Sequence, residues 1–315
     1  MYSAGPPGAD QGGGPLRLAV AGSRVFDGSS ACALDPQLRV YLSDMIRPYQ
    51  LALREDLLAA GAGQCYGEMA GALLAQLPPG SPPADLVVMA FAVSDVIPGR
   101  STAAHLAQLC PGSPAAFAVC DQGTAAPFTA LRLIREYARS GSCQRALLVV
   151  VEQAAMHYEL AAPAPVPDQH AAVALWCGGT GPGQLAAVWQ QAGLAPGQAA
   201  SLLASQVAEL CAGRDEVTLV TGSGLAAAGL AAGLGGAVRL RAAAPGQPLT
   251  GPWAALAAGL PGWAAAGQRV LVADYDPVLG YLCVSALDVG AGQANGGGQD
   301  CPASVCSRSA RTPTT

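Results

Sequence analysis

Five consecutive residues, Cys120-Asp121-Gln122-Gly123-Thr124, bring a thiol, a carboxylate and a hydroxyl around one tight bend. The run Phe117–Cys120 ahead of them is apolar. Behind them, Ala125–Arg139 repeats Phe128, Leu131, Leu133, Ile134 and Tyr137 at helical spacing. Gly123 supplies the permissive backbone of the bend, and Pro127 falls in the first helical turn, where a missing N–H costs little. A strand that ends beneath a helix N-terminus presents one side chain to the positive end of the dipole, a place for an acyl-transfer nucleophile or an anion. Thr124 could accept an acyl group there if a base is near, and its plainer reading is a helix N-cap. Cys120 is intrinsically the better nucleophile if the turn is rearranged, and otherwise a buried structural thiol. His157, in a loop after a strand, is the candidate base or simply a structural histidine. His105 lies among apolar helical residues and reads as packing, and His170 opens a strand with no role assigned. Gln122 is placed to bond across a dimer interface. Asp274 and Asp276 end a strand and could cap a loop or act.

Other chemistries fail on spacing. Gly222-Ser223-Gly224 lacks the GxSxG frame of a nucleophile elbow, and Gly222, Gly224 and Gly229 do not make GxGxxG. No CxxC occurs among the ten cysteines and there are three histidines, so no metal site is expected.

The elements that must hold the turn follow an α/β pattern. Asp85–Glu152 reads as strand, helix, strand, turn, long helix, strand, with Leu86–Val93 and Ala146–Val151 almost wholly apolar, as strands buried on both faces should be. A Pro-rich loop follows to Pro167, then a strand His170–Cys177 and the Gly178–Gly183 linker. The second part repeats the first. Asp215–Thr221 matches Asp85–Phe91, Gln268–Val272 matches Gln144–Leu148, and Gly280–Asp288 matches His170–Cys177. The expected organisation is a disordered tail over 1–14, halves over 15–180 and 181–289, and a disordered tail over 290–315. Between the first strand (Leu16–Ala21) and Asp85, helical spacing runs over Leu38–Leu58, interrupted at Pro48, and over Cys65–Leu77.

Composition narrows the function. The chain has 315 residues, 51% of them hydrophobic and 12% charged, long enough for two fused subdomains and a subunit interface. Most of the apolar content is alanine, so no window has the density of a membrane span. A formal net charge of −5 without a basic run excludes nucleic acid. The N-terminus lacks a signal-peptide pattern, which leads to the expectation of a cytoplasmic protein with reduced thiols.

On these residues the chain resembles the thiolase superfamily, nearest its ketoacyl synthase III branch. The resemblance implies a five-layer α/β fold of duplicated βαβαββ halves. In that family a cysteine in the central turn, a histidine after a second-half strand and an asparagine beyond it serve acyl-thioester condensation. Counted without gaps from Ala130-Leu131 or Ser140-Gly141, the cysteine position falls on Thr124. The histidine position falls on Gly222, and the asparagine position on Leu249-Thr250-Gly251, with Leu249 nearest. All three family side chains are therefore lost. Gly123, Gly222 and Gly251 become the substrate-facing positions that the resemblance implies. It also implies an acyl-CoA or acyl carrier protein thioester as substrate, no cofactor, and a homodimer or a heterodimer with a ketosynthase. Three functions follow as expectations: a degenerate subunit pairing with an active synthase, an acyltransferase using Thr124 or Cys120, and an active condensing enzyme.

Overall fold

A computed structural model describes residues 14–290 except 79, 98–100, 160–165, 215, 230–233 and 235–237. The two tails expected to be disordered lie outside the described residues, apart from Gly14 and Gly290. The first half runs β1 (Arg17–Phe26), α1 (Pro36–Ile46), α2 (Glu55–Ala59), α3 (Tyr66–Leu74), β2 (Leu86–Ala90), α4 (Thr102–Leu109), β3 (Ala115–Val119), α5 (Ala126–Arg139), β4 (Arg145–Glu152) and β5 (His170–Gly178). The second runs β6 (Gly183–Gln191), α6 (Pro196–Cys211), β7 (Val217–Thr221), α7 (Ser223–Ala227), β8 (Val238–Ala242), α8 (Gly251–Ala266), β9 (Arg269–Asp276) and β10 (Tyr281–Val289). Each repeat is therefore longer than βαβαββ, by a leading strand and the helices after it.

The halves share one topology. Strand order is β3-β2-β4-β5-β1 in the first and β8-β7-β9-β10-β6 in the second. β2 is parallel to β3 and β4, as β7 is to β8 and β9, while the last two strands of each half join antiparallel. A short antiparallel contact, Arg17–Leu18 against Gly183–Gln184, links the two sheets.

Alternation along the strands sorts side chains into layers. One face of each sheet turns inward onto α5 and α8, where Phe128, Leu131 and Ile134 meet Trp253, Leu256 and Leu260. The rings of Phe128 and Trp253 make a T-shaped contact at 5.0 Å. The outer faces are covered by α3 and α4 on one side and by α6 and α7 on the other. The result is the five-layer α/β arrangement. α8 is made almost wholly of Ala, Gly, Leu, Pro and Trp and lacks a polar face, as a helix enclosed between two sheets should.

Candidate functional site

Strand parity aims two carboxylates, Glu152 and Asp276, at the starts of the central helices α8 and α5, and a third, Asp274, at the start of α7. On β4 the inward residues are Ala146, Leu148 and Val150, and Glu152 continues that row at the strand's end. On β9 the inward row is Val270 and Val272, continued by Asp274 and Asp276. The exposures of Glu152, Asp274 and Asp276 are only 1%, 1% and 2%.

Each carboxylate meets one of the three positions, 124, 249 and 222, onto which counting along the sequence would set the catalytic side chains of the resembled family. Asp276 accepts the backbone N–H of Thr124 at 3.0 Å and those of Val278 and Leu279 at 3.0 Å each. Glu152 accepts the N–H of Leu249 at 2.8 Å and of Thr250 at 3.1 Å, and the Thr250 hydroxyl. Asp274 accepts the N–H of Tyr275 at 2.8 Å and fills the space beside Gly222, so that a Cβ at 222 would land within its carboxyl group. The arrangement is crosswise. A carboxylate from the first half holds the start of α8 in the second, and one from the second holds the turn before α5 in the first.

Burial raises the Glu152 carboxyl to about 7, against the three donors that favour its charged form. Burial likewise raises Asp274 to about 7, opposed by the N–H groups of Tyr275, Leu225 and Gly224 and reinforced by the nearby Asp276. Among the described residues, Oδ2 of Asp274 is a buried oxygen without a hydrogen-bond partner. A neutral acid tolerates that position better than a carboxylate does.

The structure places the sequence candidates differently. Thr124 is buried in a 3-10 turn, Gly123–Ala125, and neither that turn nor α5 has a side-chain cap, so the N-cap reading is corrected. The cap is supplied instead by the remote Asp276. Cys120 is half-buried, donates to the Asp121 carboxylate at 3.3 Å, and is held above the ordinary thiol range by burial and by that contact. A nucleophilic thiol needs the opposite surroundings. His157 is buried, and its Nε2 lies 2.7 Å from the carbonyl of Ala62, against the Gly61–Gly63 loop. Burial lowers its pKa, and its hydrogen-bond partner is Ala62, not any residue of the central turn. His170 accepts the N–H of Ala154 through Nδ1, which fixes the turn after β4. The three glycines do not offer open backbone. Gly123, with φ at +49°, is covered by Asp276, Gly222 by Asp274, and Gly251 by Ala243, Ala244 and Gln247. Gln122 accepts from the Thr129 hydroxyl within the chain.

A separate cavity of about 340 Å³ opens beside the ends of β2 and β3, lined among others by Met89, Phe91, Asp95, Thr102, Cys120 and Asp121. Asp95 accepts from the Tyr66 N–H and the Thr102 hydroxyl, which ties it to the starts of α3 and α4. No group of three or more His, Cys, Asp or Glu able to hold a metal occurs among the described residues. Nor is any described helix long and apolar enough to cross a membrane.

This is the thiolase-like fold, as seen in ketoacyl synthase III-like proteins. The acyltransferase ChlB3 superposes with a TM-score of 0.57 at 16% identity, over 88% of this chain and 98% of that one. AbyA1, a tetronic acid condensing enzyme, gives 0.57 at 18% identity, over 86% and 99%. The 3-oxoacyl-(acyl carrier protein) synthase III FabH from Pseudomonas aeruginosa PAO1 gives 0.56 at 18% identity, over 88% and 98%. No protein-family model and no curated protein sequence matches the chain.

Proposed function

We propose that the chain is a non-condensing, ketosynthase III-like subunit of acyl-thioester metabolism that works paired with an active synthase. One observation carries this reading: Thr124, Leu249 and Gly222, the positions onto which the resemblance would set a catalytic side chain, are each engaged by one of the chain's own buried carboxylates. Acyl transfer needs N–H donors free to receive the developing oxyanion. Here the Thr124 and Leu249 donors already serve anionic or ionisable oxygens, and the space at 222 is filled. The structural neighbours ChlB3, AbyA1 and FabH are titled as an acyltransferase, a condensing enzyme and a synthase. A further neighbour is titled a ketosynthase/chain length factor.

The two outer strands favour pairing through β3. β8 carries Arg239 and Arg241, charges that discourage edge-to-edge pairing, with Arg241 stacked over Trp263. β3 is Ala-Ala-Phe-Ala-Val and has β2 as its one partner strand, which leaves an uncharged edge for a second subunit, either a ketosynthase or a copy of this chain.

Acyl transfer through Cys120 is the rival reading, favoured by that thiol's place on the 340 Å³ cavity. The discriminating experiment incubates the purified chain with malonyl and acyl thioesters of coenzyme A and of an acyl carrier protein. Neither decarboxylation nor condensation is expected from the chain alone, and product should appear only with an added Cys-His-Asn synthase. Turnover by the chain alone sinks the proposal.

A further inference from the structure

α5 and α8 hold matching places in the central layer but show different surfaces to solvent. The exposed residues of α8 are alanine, proline and glycine alone. Along α5, by contrast, Thr129, Arg132, Leu133, Glu136 and Arg139 form an exposed to half-buried stripe at helical spacing, flanked by half-buried Arg135. Its charges do not balance. Glu136 is shared between Arg135, at 3.6 Å, and Arg139, at 3.5 Å, and Arg132 makes no salt bridge among the described residues. Three guanidiniums against one carboxylate make a positive face on a chain of formal net charge −5. The stripe borders β3, where the rings of Phe117 on the strand and Tyr137 on α5 lie 6.0 Å apart. We propose that the stripe and the β3 edge form one interface, whose partner is a different chain with an acidic helix face beside its own edge strand. This rests on the pairing proposed above and names the partner's chemistry.

The two parts of the interface contribute differently. Backbone bonds at a strand edge are the same for any sequence, so β3 favours pairing without choosing a partner. The choice falls to the side chains next to it. Two copies of this chain related by a two-fold axis would meet through the same patch on each. Arginines would then face arginines, with Glu136 already divided between two of its own chain's, and like charges brought together in an interface cost affinity. An acidic partner reverses the sign, since its carboxylates can take Arg132 and Arg139 in the two-bond geometry that a guanidinium favours. Asp121, the acid before the start of α5, already accepts the Cys120 thiol and stands at the other end of the stripe from Arg139. Half-buried Leu133 and the Phe117–Tyr137 pair give the seam an apolar part beside the charges.

The chain itself, with the stripe reversed by Arg132→Glu/Arg135→Glu/Arg139→Glu, is a probe of the stated chemistry. Sedimentation velocity in about 0.1 M salt, where charges more than about 10 Å apart are screened, compares wild type, the variant and their equimolar mixture. Each protein alone should stay monomeric at micromolar concentration. The mixture should form a one-to-one pair whose dissociation constant rises about tenfold or more at about 0.5 M salt. Ala118→Arg in the wild-type member should abolish that pair. Where the triple variant fails to fold, Arg132→Glu/Arg139→Glu serves, since it spares half-buried Arg135 and reverses only exposed charges. A tight wild-type dimer at the lower salt, a mixture that does not pair, a pair indifferent to salt, or a pair retained in Ala118→Arg would each overturn the proposal. Any of these would leave the self-occupied site standing, whereas catalytic turnover by the chain alone would overturn the proposed function without touching this readout.

Discussion

The fit between Gly222 and Asp274 gives a double-substitution test. At 222 the backbone is extended, with φ −72° and ψ 167°, so any residue can adopt it and only space forbids a side chain. The atoms a Cβ would strike are all three of the Asp274 carboxyl group. Gly222→Ala should therefore destabilise by about 1–3 kcal/mol, the usual range for overpacking a close-fitted interior. Asp274→Ala frees the N–H groups of Tyr275, Gly224 and Leu225, a loss of about 1–3 kcal/mol, partly offset by removal of a desolvated acid. In the double variant the new methyl enters the vacated space. The two changes should then couple favourably by about 1–3 kcal/mol, as contacting sites do. Calorimetric melting of the four proteins at pH 6 reads this directly. The double variant should melt within a few degrees of Asp274→Ala, given about 2–4 °C per kcal/mol in chains approaching this size. Additive losses, with Gly222→Ala lowering Tm equally in both backgrounds, would refute the steric reasoning.

Stability should also depend on pH in an uncommon direction. Glu152 and Asp274 both have folded pKa values raised to about 7, so their contribution is complete below about 4 and is lost as pH rises toward 7. Tm is expected to fall between pH 5 and pH 7.5, and the Glu152→Gln/Asp274→Asn pair should flatten that fall. Asp276→Ala strands the buried Thr124 N–H and should lose about 1–3 kcal/mol in a denaturant titration, with exchange quickening at Thr124 but not at Thr250. Ala118→Arg, in the exposed middle of β3, should weaken self-association or synthase pairing in analytical ultracentrifugation while leaving Tm nearly unchanged.

The fold was legible because the duplication repeats in register. Arg145–Glu152 and Arg269–Asp276 are both eight-residue strands after a helix, and their neighbours match strand for strand. The same register carried an unread signal: each of these strands begins with arginine and ends with an acid. Asp276 does cap the turn after its strand, through Val278 and Leu279, but its bond to Thr124, 152 residues away, and the bonds of Glu152 to partners 97–98 residues away were not readable. Local spacing cannot show such a bond. Thr124 at a helix start read as its own cap for the same reason, while an acid from the other half supplies the cap. His157 is placed away from the central turn for a different cause. Its loop position suggested freedom, but the Arg54 N–H donates to the His157 carbonyl, the Glu159 N–H donates to that of Ala52, and the ring is buried on Ala62. The sequence singled out positions 124, 222 and 249, but not the buried acids that meet them in the fold.

The most direct test of the self-occupied site is intact-protein mass spectrometry after incubation with short acyl-CoA and acyl carrier protein thioesters, with Thr124→Ala and Cys120→Ala alongside. The expected result is an unmodified mass for all three proteins, with every donor tried. A stable acyl adduct on the wild-type chain that disappears in one variant alone would contradict the account and identify the nucleophile.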